Sequence, residues 1–342
     1  MINLIWDMWD KWCKYKFTDP VFAFAKVCLR LGVTLLAGGV GWAIIISIKY
    51  RGIPASIEIG PSQPTFVGLL LIAVGLTLGI WRILKSSTTV GCFLVVHKGM
   101  PGMDLGNPKA SLPGVCKRGE IREIQIPYLA EKKEVMRKIE SVSDRIQQDI
   151  NHKNECTSLA YAGMAPIPFL FYTGHLLTNR QHVKYILDWD RDYGIWHDLG
   201  AKPHNIKLKE ERPASEALEE IAIAIPLSVE ISEQSIHSTI GKNIPILWLR
   251  HPNGASRDSL NSEKDQILCS TQFYNCLAGI RSEYLGLKQV HLFVAAQASF
   301  VFRLGQSYTA STHPPISIYG FDAKAGVYDW SINISEQKVE II

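Results

Sequence analysis

No CxxC pair occurs among the seven cysteines (Cys13, Cys28, Cys92, Cys116, Cys156, Cys269, Cys276), and no histidine stands at a zinc-type spacing from them. A zinc knuckle and a thioredoxin-like redox motif are therefore excluded, and the cysteines read as ordinary thiols. HExxH and GxSxG are missing as well, which removes the commonest metalloprotease and hydrolase chemistries. There is no GxGxxG and no Walker-type lysine loop, so the usual dinucleotide and triphosphate cradles are absent. The net charge is only +4, too small to argue for binding of a nucleic-acid polymer. Charge is also missing locally. Residues 31–48 (LGVTLLAGGVGWAIIISI) and 59–81 carry no Asp, Glu, Lys or Arg.

Runs of that length can cross a hydrocarbon core of about 30 Å with some snorkelling or tilt. The sequence predicts a two-helix transmembrane hairpin over 21–85, with spans at about 27–48 and 63–83; two buried core helices are the alternative. Lys11, Lys14, Lys16, Lys26 and Arg30 precede the first span, Arg82 and Lys85 follow the second, and the connecting loop holds Lys49, Arg51 and Glu58. The positive-inside rule then puts both termini in the cytoplasm. Gly38, Gly39, Gly41, Gly68, Gly75 and Gly79 would allow close helix approach. Residues 1–20, with Trp6, Trp9 and Trp12 three apart, read either as an interfacial helix or as an extended start to the first span.

The rest of the chain alternates apolar runs with amphipathic stretches. Residues 86–118 form a linker and the start of a first α/β unit, Gly- and Pro-rich from 98 on. Strands are expected at 121–127, 159–163, 220–231 and 243–250. Helices are expected at 129–150, at 166–177 and at 262–285, the last opened by a capping box at Ser262-Glu-Lys-Asp265. Two segments superpose in register: AYAGMAPIPFLFYTGHLL (160–177) lies on HLFVAAQASFVFRLGQSY (291–308), so that Phe169 meets Phe300 and Gly174 meets Gly305. With one extra residue, WDRDYGIW (189–196) lies on FDAKAGVY (321–328). The pattern predicts a duplicated α/β unit, 119–215 and 216–342, with pseudo-twofold symmetry. Ligands of open α/β units sit at the carboxyl ends of the strands. Two such units make one quasi-symmetric groove, which hints at a cyclic oligonucleotide over a mononucleotide.

The stretches EIAIAIPLSV, 262–285, VHLFVAAQASFVFRLGQSY and ISIYGFDAKAGVYDWSINI resemble the SAVED domain, a cyclic-oligonucleotide sensor of bacterial CBASS anti-phage systems, well over 216–334 and weakly over 90–215. The resemblance implies two fused CARF-like (Rossmann-like) units behind a two-transmembrane effector. It also implies a non-enzymatic chain in the bacterial inner membrane that binds a cyclic oligonucleotide, a cyclic trinucleotide favoured, made by a partner CD-NTase. Binding would drive self-association, membrane disruption and abortive infection. A membrane-anchored enzyme degrading a cyclic nucleotide and a ligand-gated two-pass channel are the alternatives. No cofactor or metal is implied. The family's turn often reads small-Pro-small, where this chain has Ala296-Gln297-Ala298; Gln297 either reads a base edge or replaces a structural proline.

The candidate ligand-binding residues follow from that groove. The second turn supplies Ala296, Gln297, Ala298 and Ser299 at a helix start that favours phosphate. The first supplies Gly163, Met164, Ala165 and Pro166. Phe169 and Phe300 are either core or stacking platforms. Arg250, His251, Asn253 and Arg257 offer charge, stacking and base-edge hydrogen bonds, and Tyr128 ends the corresponding first-unit strand. DWDRD (188–192) has the carboxylates of a metal site, but its counterpart YGFDA does not, which favours a solvated hairpin.

Overall fold

A computed structural model describes residues 20–37, 44–50, 53–59, 64–87, 90–114, 116, 120–152, 158–178, 183–213 and 218–342. The chain divides into Met1–Thr89 and Val90–Ile342. The Trp-rich segment 1–19 lies outside the described residues.

In the first division, α1 (Pro20–Ala37) packs against α2 (Pro64–Ser87), and β1 (Ile44–Tyr50) pairs antiparallel with β2 (Ile53–Ile59). The expected span 27–48 is thus not one helix: the helix ends at Ala37 and 44–50 is a strand. The run Ile44-Ile45-Ile46 is β-branched, and such residues favour strands. The helices run antiparallel, with small residues at the seam. A Cβ on Gly32 would come within 2.7 Å of the Gly68 carbonyl, and one on Gly75 within 2.9 Å of the Ala25 carbonyl. Gly79, expected to serve close packing, faces open space, and Gly32 takes that role. Gly38, Gly39 and Gly41 lie outside the described residues. Side chains are described for 24–35 and 66–81 of these helices. Among the described residues no helix is long and apolar enough to cross a membrane.

The second division holds two sheets. Its first sheet is built from β3 (Val90–Lys98), β4 (Glu120–Ile126), β5 (Ser158–Met164), β6 (Val183–Asp190) and β7 (Ile195–Asp198), with α3 (Lys132–His152) and α4 (Ile167–Thr178) between strands. Its order is β4-β3-β5-β6-β7, parallel except for β7. The second sheet is built from β8 (Lys209–Glu211), β9 (Glu220–Pro226), β10 (Ile246–Arg250), β11 (Gln289–Ala295), β12 (Ile316–Asp322), β13 (Val327–Ile334) and β14 (Val339–Ile341). Three helices connect its strands: α5 (Glu233–Ile240), α6 (Glu263–Glu283) and α7 (Ala298–Ser307). Its order, β14-β13-β12-β11-β9-β10-β8, contains β10-β9-β11-β12-β13. That core repeats the first sheet strand for strand, and β3 is the partner of β9. The inner strands are buried on both faces, as near-continuous apolar parallel strands must be.

The expected strand 220–231 stops at Pro226, whose ring removes a ladder donor. The expected strand 243–250 shortens to 246–250. At α6, Ser262 caps the helix by accepting the Asp265 N–H, but Asp265 does not reach back; its carboxylate accepts N–H groups of His204 and Ile206 instead. The aligned glycines mark the crossing of the two halves. A Cβ on Gly174 would strike the Phe302 carbonyl, and one on Gly305 the Phe171 carbonyl. These are equivalent contacts in the 160–177/291–308 register. Only glycine permits this approach of α4 to α7.

Candidate functional site

The carboxyl ends of both sheets open into one cavity of about 590 Å³, in the range of small-ligand sites. Its walls come in equivalent pairs. After β3, the Gly99 N–H donates to the Met164 carbonyl (2.9 Å); after β9, the Leu227 N–H donates to the Ala295 carbonyl (2.8 Å). These bonds hold Met100 and Ser228 at matching places on the rim. The β5–α4 turn contributes Met164, Ala165, Pro166 and Ile167, and the β11–α7 turn contributes Ala295, Ala296, Gln297 and Ala298.

The β6–β7 and β12–β13 hairpins close the ends. In each, an Asp carboxylate accepts two turn N–H groups: Asp190 from Asp192 (2.9 Å) and Tyr193 (3.0 Å), Asp322 from Lys324 (2.7 Å) and Ala325 (3.2 Å). Those donors hold the Asp322 carboxyl below its ordinary value. Gly194 (φ +64°) and Gly326 (φ +71°) complete the turns in left-handed backbone. An edge-to-face aromatic pair braces each hairpin, Trp189–Trp196 at 5.3 Å and Phe321–Tyr328 at 5.1 Å. DWDRD is therefore a capped turn, and among the described residues no group of His, Cys, Asp or Glu is arranged to hold a metal ion.

The Gln297 amide ties the halves together. Its Oε1 accepts the Leu260 N–H (2.9 Å), while Nε2 donates to Asn261 (2.8 Å) and to Asp188 on β6 (3.0 Å). Both amide hydrogens are used, so Gln297 lines the groove without a free donor. Asp188 also accepts the Trp189 N–H (3.1 Å), and burial pushes its carboxyl above the usual range. Two rim cations, Arg191 and Arg257, are exposed and have no ion-pair partner among the described residues. Asp258, beside Arg257, lines the groove in left-handed backbone (φ +52°), which Asp tolerates better than most residues.

Of the sequence candidates, the groove gathers Met164, Ala165, Pro166, Ala296, Gln297, Ala298 and Arg257. The others lie elsewhere. Phe169 and Phe300 are buried in the core, Phe169 against Trp330 at 4.9 Å, so neither is a stacking platform. Gly163 sits in β5 against the Tyr161 ring. Ser299 is buried behind the turn, accepting from Gln266 (2.8 Å). Arg250 is paired with Glu230 (2.8 Å) and lies over the Trp248 ring (4.0 Å). His251 is mostly buried, which pushes its imidazole below the ordinary value, and its Nδ1 accepts the Asn253 N–H. Tyr128 and Asn253 are exposed outside the groove. The sequence reading missed Asp188, Trp189 and Arg191, the 228–232 turn, and the aromatic pair Phe321 and Tyr328. Except for Tyr328, which opens β13 opposite Phe321, all lie within the last three residues of β6 or β12 or just after β6 or β9, and that position was the available signal.

Two fused α/β halves with one ligand-sized groove at their shared carboxyl end define a sensor-type double Rossmann-like domain. The chain belongs to the SAVED family, described as the SMODS-associated and fused to various effectors sensor domain, whose model matches residues 139–334. No protein of curated function matches it. Among solved structures it is similar to the Acinetobacter baumannii Cap4 SAVED/CARF-domain containing receptor with the cyclic trinucleotide 2'3'3'-cAAA, at 14% identity and a TM-score of 0.47, covering 78% of this chain and 57% of that one. It is also similar to the Moraxella osloensis Cap4 SAVED/CARF-domain containing receptor, at 13% identity and a TM-score of 0.39, covering 82% and 56%. The chain thus spans little over half the length of these proteins.

Proposed function

We propose that the chain is a membrane-embedded effector of a CBASS-type antiviral system, in which the groove binds a cyclic oligonucleotide made by a CD-NTase. A cyclic trinucleotide is the favoured ligand. One observation carries this reading: two equivalent strand-to-helix turns and two equivalent aromatic hairpins face a single cavity. A ring with repeated sugar–phosphate units presents repeated features to such walls. Arg191 and Arg257 supply charge for phosphates, and the half-exposed Phe321 supplies a face for a base, a contact worth about 1–3 kcal/mol. Affiliation with a sensor family and the ligand named for the A. baumannii receptor support the same ligand class.

The effector part is the α1–α2 hairpin. Phe24, Val27, Phe66, Leu69, Leu76 and Ile80 are exposed along it, an apolar surface suited to lipid. In this reading the hairpin sits in the bacterial inner membrane with both termini cytoplasmic, ligand binding drives self-association, and clustered hairpins disrupt the bilayer, ending the infection abortively. Calorimetric titration of the purified chain with a panel of cyclic di- and trinucleotides tests the sensor claim. Saturable binding of at least one ring is expected; binding of none overturns it.

A further inference from the structure

A carboxylate at the floor of the groove is not explained by the turn chemistry around it. Asp188 is 3% exposed and lines the cavity. A carboxylate so nearly buried is ordinarily neutralised by Lys or Arg, yet among the described residues neither pairs with it. The titratable groups acting on it are His197 on β7 and Asp258. Its partners are hydrogen-bond donors: the Trp189 N–H on Oδ1 (3.1 Å) and the Gln297 Nε2 on Oδ2 (3.0 Å).

The strand position itself does not demand a carboxylate. In the hairpin register that matches Asp190 to Asp322, the equivalent of Asp188 is Gly320, so the same strand position is filled without any side chain. Nor does an anionic ligand gain from it, since a buried negative charge repels phosphate. What a carboxylate at a groove floor can do is accept a hydrogen bond. It offers about four acceptor directions, of which the protein uses two.

Resting on the cyclic-oligonucleotide reading above, we propose that Asp188 is a specificity-determining residue, whose remaining acceptor capacity takes an N–H of an exocyclic amine on a nucleobase. The Gln297 amide and the Trp189 N–H hold the carboxylate in place, and Arg191 and Arg257 on the rim meet the phosphates away from it. Adenine and cytosine present such an amine; uracil presents carbonyl oxygens in its place, which the carboxylate repels. The ligand therefore carries at least one amino-bearing base, seated at β6 and not at its mate β12. The groove is symmetric in backbone and asymmetric in chemistry.

The test compares two probes on the full chain by calorimetry: the all-adenosine cyclic trinucleotide and the same ring built with unsubstituted purine, which lacks the 6-amino group. The wild type is expected to bind the adenosine ring about ten- to hundredfold tighter, the scale of one good base-edge contact. In D188N the Gln297 Nε2 takes the amide oxygen and an NH2 replaces the other acceptor, so the preference falls to within about threefold or reverses. Equal binding of both rings by the wild type overturns the inference and leaves the cyclic-oligonucleotide reading standing. An equal loss for both rings in D188N also overturns it, since that marks a purely structural carboxylate. Binding of neither ring by the wild type overturns it together with its premise for this ring class. Should D188N fail to fold, the wild-type comparison alone decides.

Discussion

The 260–261 loop and strand β6 converge on one amide at Gln297, and releasing them has a cost. Q297A would free the Leu260 N–H and leave Asp188 and Asn261 each short of a donor. At about 0.5–1.5 kcal/mol per neutral hydrogen bond and 1.5–3 to a charged group, the substitution should lower stability by about 2.5–6 kcal/mol, measured as a shift in urea midpoint. Arg257 is different, being exposed and without an ion-pair partner among the described residues. R257A should leave the midpoint within about 0.5 kcal/mol while weakening cyclic-oligonucleotide binding about tenfold and reducing its salt dependence. Acid should act through buried histidines. Burial depresses His97 to about 3 and His313 to about 4, below the unfolded value of about 6.5. Between those values the unfolded chain binds more protons, so stability is fully present above about pH 6.5 and is lost as pH falls below it. The midpoint should drop from pH 7 to pH 5, and less so in H97Q, which keeps a partner for the Tyr161 hydroxyl. Residue-level legibility was uneven for a physical reason. The turns were visible because glycine, proline and small residues interrupt apolar strands. Phe169, Phe300 and Ser299 looked the same as ligand contacts because a sequence does not show which side of a turn faces the cavity.

At the scale of elements, the crossing of α4 and α7 is the most specific feature. The aligned Phe-x-x-Gly segments put Gly174 under Phe302 and Gly305 under Phe171, a match already present in the offset between the two sequences. Adding a methyl group at either glycine drives it into a backbone carbonyl, so G174A and G305A should each cost about 1–3 kcal/mol or more, read by urea unfolding. The duplicated hairpins were legible too, through Asp, Gly and aromatic residues at equal offsets. β3 was not. Its run GCFLVVHK follows an apolar helix, and a short apolar run does not distinguish strand from buried helix; only its place between β4 and β5 does. The division of the first apolar run into α1 and β1 was hidden similarly, because hydropathy counts apolar residues without weighing the β-branched run at 44–46.

For the whole molecule, the proposed function makes the groove at one end of the two sheets a sensor and the apolar hairpin its actuator. A ligand that prefers the assembled form must stabilise it, so in the proposed mechanism dye leakage from liposomes should require both the cyclic oligonucleotide and an intact α1–α2 pair. G32L should abolish ligand-triggered leakage, because the side chain meets Ile72 and the Gly68 carbonyl, while ligand binding in the groove is retained; leakage equal to wild type would reject the hairpin as actuator. The central claim, one ring held between two halves, is tested most directly by the stoichiometry of binding. Titration of the purified chain with the tightest-binding cyclic oligonucleotide should saturate at one ring per chain, with R257A weakening that single event. Saturation at two rings per chain, each half binding its own, or no saturable binding at all would contradict it.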